Sequence, residues 1–300
     1  MTDRKTQLDL FAVCCLIGCA ALWGLNQTAT KLALAEIPPL LQAAARSAGA
    51  ALLLGLWAAR KRIPLGPGNG TLGGGLLAGL LFALEFGCIF VGLQYTSASR
   101  MVVFIYLAPI VVAVAMPLVA PAERLRGPQF AGLGLAFAGL VWAFAEGFSA
   151  PAAGPRQWLG DALGAVAALL WAGTTLTIRA TRLSSAAPEQ TLMYQLLISG
   201  GLLGLAGLLH GEQWPASASA LAWGSLVFQA GVVTFASYLL WFWLVRHYPA
   251  TKISAFTLLT PVFGLLFGVL LLHEALTARL VLALVAVSAG IWLVSRPARA

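Results

Sequence analysis

The sequence predicts an all-α integral membrane protein, with ten transmembrane helices arranged as two inverted five-helix repeats. Three observations carry this. Of 300 residues, 60% are hydrophobic and only 9% charged, whereas about a quarter of a soluble domain is charged. The chain is written twice: Ala21-Leu22-Trp23-Gly24-Leu25-Asn26-Gln27-Thr28 with Lys31 returns 148 residues later (171 − 23) as Leu169-Leu170-Trp171-Ala172-Gly173-Thr174-Thr175-Leu176 with Arg179. Arg100 up to Pro109 returns as Lys252 up to Pro261, Glu123-Arg124-Leu125 as Glu274-Ala275-Leu276, and Ala138-Gly139-Leu140 as Ala289-Gly290-Ile291. The third observation is a one-sided distribution of basic residues.

A bilayer core of about 30 Å needs roughly 20 apolar residues per helix. Ten such stretches follow in order: about 10–34, 38–59, 71–93, 98–120 and 127–146, then 158–180, 188–210, 219–245, 250–272 and 276–296. The first repeat spans 1–146, an Ala/Pro/Gly-rich external link covers 147–157, and the second repeat spans 158–300. An odd number of crossings per repeat places the second upside down relative to the first. The first stretch follows Arg4 and Lys5 and ends near Ala33-Leu34-Ala35, a signal-peptide-like pattern. Its apolar run is too long for that, and its repeat mate is internal, so it is kept as a helix.

With the N-terminus in the cytoplasm, thirteen Lys/Arg lie inside: Arg4, Lys5, Arg60, Lys61, Arg62, Arg124, Arg126, Arg179, Arg182, Arg246, Lys252, Arg296 and Arg299. Four lie outside, Lys31, Arg100, Arg156 and Arg279, and Arg46 falls within a helix. That bias puts both termini in the cytoplasm. The net charge of +8 is then matched to anionic headgroups of the bilayer and not to nucleic acid.

Ionisable groups inside spanning helices are costly and signal function or a strong structural need. Glu85 lies thirteen residues into the third stretch, roughly 20 Å up, and Arg46 eight residues into the second, roughly 12 Å down. Their depths match. Two readings stand: an ion pair locking the two helices, or a cavity site for a charged substrate or a proton. The repeat mate of Glu85 is Ser237, so any site is asymmetric.

The first helix carries a polar and aromatic stripe through Cys15, Cys19, Trp23, Asn26, Gln27 and Thr30, which Trp171, Thr174, Thr175 and Ile178 repeat in the sixth. The eighth adds Gln229, Thr234, Ser237, Tyr238 and Trp241. Two readings again stand: one central cavity lined by Trp23, Asn26, Gln27, Trp171, Thr174, Thr175, Tyr238 and Trp241, or interhelical hydrogen bonding. Pro109 and Pro261 lie eleven residues into their helices, roughly at the midplane. Each removes a backbone hydrogen bond, as a paired hinge or as static bends. Gly75/Gly79, Gly200/Gly204 and Gly264/Gly268 are small-xxx-small pairs expected at bundle contacts.

The four cysteines, Cys14, Cys15, Cys19 and Cys88, are expected as packing residues, and His210, His247 and His273 sit at helix ends with no nucleophile or carboxylate grouped around them. No metal, cofactor or catalytic motif is expected. An integral-membrane enzyme on lipid-linked substrates would need clustered acids, histidines or ligands near one interface.

The ALWGLNQTATKLAL segment, Arg46, SASRMVVFIYLAPIVVAV followed by Glu123-Arg124-Leu125, and PATKISAFTLLTPVFGLLFGVLLLHEAL (Pro249 to Leu276) resemble the drug/metabolite transporter superfamily of EamA type. His273 stands where the family pattern has glycine. The resemblance covers nearly the whole chain and is greatest to the aromatic amino-acid exporters of the YddG kind. It implies a ten-helix bacterial inner-membrane exporter of small metabolites, often amino acids; a monomer is expected. A carrier of sugar phosphates or nucleotide sugars is the alternative, although phosphate favours several basic cavity groups and only Arg46 is available.

Overall fold

The computed structural model describes residues 5–67, 70–145, 148, 154–272 and 278–296. Every regular element among them is helical. In order they are α1 (Leu10–Leu34), α2 (Pro39–Lys61), α3 (Leu72–Gly92), α4 (Ala98–Ile105), α5 (Ala108–Ala115), α6 (Gly127–Ala143), α7 (Gln157–Ala180), α8 (Pro188–Leu209) and α9 (Ala220–Val227). A π-helix (Phe228–Ser237) follows, then α10 (Tyr238–His247), α11 (Ala250–Phe256), α12 (Leu259–Leu272) and α13 (Ala278–Ser295). Among the described residues eight helical runs are long and apolar enough to cross a membrane, and Gly127–Ala143 and Val281–Ser295 are shorter apolar helices.

Local chemistry sets the starts of these elements. Asp9 caps α1 by accepting from the Ala12 amide, Ser97 caps α4 through Arg100, and Ser219 caps α9 through Ala222. Proline opens α2 and α8, where a missing N–H costs nothing.

Packing relates the two halves. Along α2 and α8, Gly207 faces Leu40, Gly204 faces Ala44, Gly200 faces Ser47 and Gly55 faces Met193. Numbers fall on one helix as they rise on the other, so these repeat mates run antiparallel. Ser199 Oγ donates to Ser47 Oγ at 3.2 Å across a separation of 152 residues, the offset that relates Glu85 to Ser237. The mates α6 and α13 cross antiparallel as well. Gly132 meets Gly290, where an added Cβ would come within 2.4 Å of the Gly132 carbonyl, and Gly139 meets Ala286. The remaining packing respects the same exchange. α3 packs on α7 as the π-helix and α10 pack on α1; α3 packs on α8 as the π-helix packs on α2; α4 and α5 pack on α7 as α11 and α12 pack on α1.

Gly75/Gly79 and Gly200/Gly204 are bundle contacts, whereas Gly268 of the third pair lies outside the described side chains. A Cβ on Gly75 would meet the Tyr194 ring at 2.4 Å, and one on Gly79 would meet Ile198 at 2.4 Å. Gly24 packs against the backbone of Gly264.

Both prolines coincide with a break. α4 ends at Ile105, and the chain continues through Leu107 N–H to Phe104 O (3.2 Å) before α5. α11 ends at Phe256, with Leu258 N–H to Ala255 O (3.2 Å) before α12. Pro109 and Pro261 cannot donate to the carbonyls of Ile105 and Thr257 four residues back, so the ladder tightens to i→i−3 just ahead of each. The eighth apolar stretch also departs from the single α-helix expected of it: its middle ten residues are a π-helix.

Two matching latches tie the halves at opposite ends. Tyr248 Oη donates to Asp9 at 3.0 Å, and Thr96 Oγ1 donates to Asp161 at 2.7 Å; each pair of positions differs from its mate by 152. Arg100 adds a two-pronged contact to Asp161, Nε at 3.1 Å and Nη2 at 2.6 Å. At the Asp9 end a buried ion pair joins Glu123 of the first half to Arg179 of the second. Arg179 also donates to the carbonyls of Val245 and Tyr248, and the Ala250 amide donates to Glu123.

Candidate functional site

Trp23, the midpoint of the predicted stripe on α1, is the centre of an aromatic group. Its ring stands edge-on to Trp241 at 5.2 Å and to Tyr238 at 5.8 Å. Its indole N–H donates to Ser237 Oγ at 2.8 Å, which in turn donates to the Val233 carbonyl. The half-buried indole is thereby satisfied by the last residue of the π-helix. Tyr238 extends the group to Phe82 at 6.3 Å, Phe82 to Phe86 at 4.9 Å, and Phe86 lies under the Arg46 guanidinium at 4.3 Å. One continuous wall thus runs from Trp241 to Arg46, supplied by α1, α2, α3 and α10.

Arg46 and Glu85 are 5% and 7% exposed. Arg46 lies over the ring of Phe86, the residue after Glu85 on α3, yet no N–O approach within 4.0 Å joins Arg46 to Glu85 among the described residues. The direct ion pair that would lock α2 to α3 does not form. Arg46 Nε has no hydrogen-bond partner. On the same face of α2, Gln42 Nε2 donates to Gln229 Oε1 at 3.0 Å and to the Thr30 carbonyl at 3.3 Å. Gln42 Oε1, Gln229 Nε2 and Asn26 Oδ1 are buried without partners.

The structure therefore brings Trp23, Arg46, Glu85, Tyr238 and Trp241 into one neighbourhood, and Asn26 follows Trp23 by three residues on α1. Trp171 pairs with Tyr106, edge-on at 5.7 Å. The Thr174 and Thr175 hydroxyls donate back to the Leu170 and Trp171 carbonyls of their own helix. The Gln27 side chain lies outside the described residues, as do the side chain of Lys31, most of the 147–157 link, and His273 with Glu274. Phe82 and Phe86 were not singled out from the sequence; their signal was the spacing of four that stacks them beside Glu85 on α3. Gln42 carried a similar signal, four residues before Arg46. A separate groove of 630 Å³ between α2 and α8 is lined only by apolar groups, Leu52, Leu56 and Met193 among them, and holds none of these residues.

Among the described residues no group of His, Cys, Asp and Glu is arranged to hold a metal ion. What the arrangement offers is an aromatic surface that ends in one cation, one carboxyl group and unbonded amides.

The model of the EamA-like transporter family matches residues 10–145 and 158–296. A protein of Escherichia coli K12 named "Probable amino-acid metabolite efflux pump" is 27% identical over 284 residues, covering 90% of each chain. The "Uncharacterized transporter YvbV" of Bacillus subtilis is 30% identical, covering 93% of this chain and 90% of its own. A solved crystal structure 18% identical superposes with a TM-score of 0.80 over 93% of this chain and 94% of the other, a likeness of fold.

Proposed function

Because the chain belongs to the EamA-like transporter family and is a multi-pass membrane transporter of that type, not an enzyme, we propose that it exports small amphipathic metabolites, amino acids including aromatic ones. The observation that carries this reading is the continuous wall from Trp241 through Trp23, Tyr238, Phe82 and Phe86 to Arg46, with Glu85 beside it. An aromatic amino acid has an apolar ring, a carboxylate and an ammonium, and the wall offers a counterpart for each. The relative in Escherichia coli whose name includes amino-acid efflux supports the same class.

Movement is by alternating access between two inverted five-helix repeats, 1–146 and 158–300, joined by an external link at 147–157. The antiparallel packing of α2 on α8 and of α6 on α13, and the two separate stretches matched by the family model, support the inversion. Pro109 and Pro261 mark the paired elements that flex. The protein sits as a monomer in a bacterial inner membrane with both termini cytoplasmic.

The test is flux in proteoliposomes with labelled amino acids, with and without a proton gradient. Phenylalanine or tryptophan should move, and Trp23→Ala should slow them at least tenfold in well-folded protein. Absence of flux for every amino acid offered overturns the substrate class.

A further inference from the structure

We infer that Gln42 and Gln229, together with Arg46, form a subsite for the carboxylate of the substrate, and that the transporter therefore selects free amino acids over their amides, esters and amines. This rests on the reading of the site as one for small amphipathic molecules.

The three side chains are 2%, 1% and 5% exposed within an apolar bundle. Buried polar groups are ordinarily satisfied, and those left open in a membrane bundle signal an absent partner. Here Gln229 Nε2 and Arg46 Nε are donors without acceptors, and Gln42 Oε1 is an acceptor without a donor. Reversing both amides of the Gln42–Gln229 pair exchanges their roles but still leaves one free donor and one free acceptor. A carboxylate beside them takes up the donors, with charge-assisted hydrogen bonds to the guanidinium.

The arrangement is not inherited from the duplication. At the offset of 152 the mates of Gln42, Arg46 and Gln229 are Tyr194, Ile198 and Leu77 (42 + 152, 46 + 152, 229 − 152), none of which carries an amide or a charge. Leu77 is 47% exposed where Gln229 is buried. The reason is local: the mate helix α3 is regular, whereas the chain widens into a π-helix at Phe228 and turns Gln229 inward against α2. A bonding network needed only to pack two repeats would recur in both.

The experiment measures binding to the purified protein by quenching of tryptophan fluorescence, alongside proteoliposome flux. The probes are phenylalanine, 3-phenylpropionate, phenylalaninamide, phenethylamine and phenyl phosphate. The wild type should bind phenylalanine and 3-phenylpropionate about tenfold or more tightly than the amide and the amine, the size expected for hydrogen bonds to a charged group. Gln229→Met should collapse that preference to about twofold. Gln229→Glu, which keeps the side-chain volume, should reverse it in favour of phenethylamine through like-charge repulsion, a reversal that loss of packing does not produce. Equal binding of acid and amide by the wild type, tighter binding of phenyl phosphate than of either acid, or an unchanged acid preference in both folded variants overturns the subsite. Selective carboxylate binding without flux of any amino acid retains the subsite and overturns the proposed transport.

Discussion

Glu85 and Arg46 show how far a single ionisable residue can be read. Their depth in the bilayer follows from counting along a helix, and the structure keeps them near one another without a direct bond. Glu85→Gln should therefore leave expression and folding intact, since no ion pair is broken, while transport is lost or becomes insensitive to pH. Size-exclusion profiles and flux between pH 5.5 and 8 check both halves of this; a well-folded variant with wild-type flux at every pH removes Glu85 from the mechanism. Asp9 is a residue outside the spans whose charge state can be followed. The Lys5 hydrogen bond first, and then the Ala12 amide, hold its carboxylate at about 2 against an ordinary value of 3.8. A lowered acid stabilises the fold in its charged form, so the contribution is complete above pH 3.8 and is lost as pH falls through 2. Thermal midpoints in detergent should accordingly show no Asp9-dependent change between pH 7 and 5. Below pH 3.8 the gap between wild type and Asp9→Asn should narrow.

At the scale of elements, the paired breaks at Ile105–Ala108 and Phe256–Leu259 have one cause, the missing amide of Pro109 and Pro261. Replacing either by alanine restores a donor and should straighten and stabilise that span, with a gain of a few degrees in thermal midpoint. If the breaks flex during transport, flux should fall at the same time, most in the double variant. Equal flux with a higher midpoint would make them static bends. The π-helix could not have been read in advance. Phe228–Ser237 carries no sequence signal for the wider turn, and its contacts in the fold are with residues distant in the chain, Gln229 with Gln42 and Ser237 with Trp23.

For the whole molecule, the ion pair between Glu123 and Arg179 joins the halves, with side chains 7% and 2% exposed. Glu123→Gln leaves a buried guanidinium short of its counter-charge and should cost about 3–5 kcal/mol. The double replacement Glu123→Leu with Arg179→Leu should recover much of that, because removing both charges removes the desolvation penalty as well. Thermal melts of the three variants in detergent decide this. Orientation is tested on a cysteine-free background. A cysteine at Ser217 should react with an impermeant maleimide from outside, and one at Ser185 only after the inner face is opened; the opposite pattern inverts the topology.

Composition and the long apolar stretches were sufficient for an all-helical membrane chain, because a bilayer forces such stretches and satisfied backbones whatever the side-chain detail, and the motifs around Trp23, Pro109 and Pro261 were sufficient for the family it resembles. The repeat also pointed to Trp23 and to the position of Glu85 opposite Ser237. Only tertiary structure decided which polar residues meet. For Thr174 and Thr175 a shared cavity and hydrogen bonding both stood as readings of the sequence, and in the fold each hydroxyl bonds the carbonyl four residues back on its own helix. Arg179 looked like one more cytoplasmic charge, yet it is buried against Glu123 and the carbonyls that end α10. The order of residues along one helix fixes their face and depth. Their partners depend on how neighbouring helices rotate and pack, and that is set by contacts distant in sequence, such as Gly132 on Gly290 and Ser47 on Ser199.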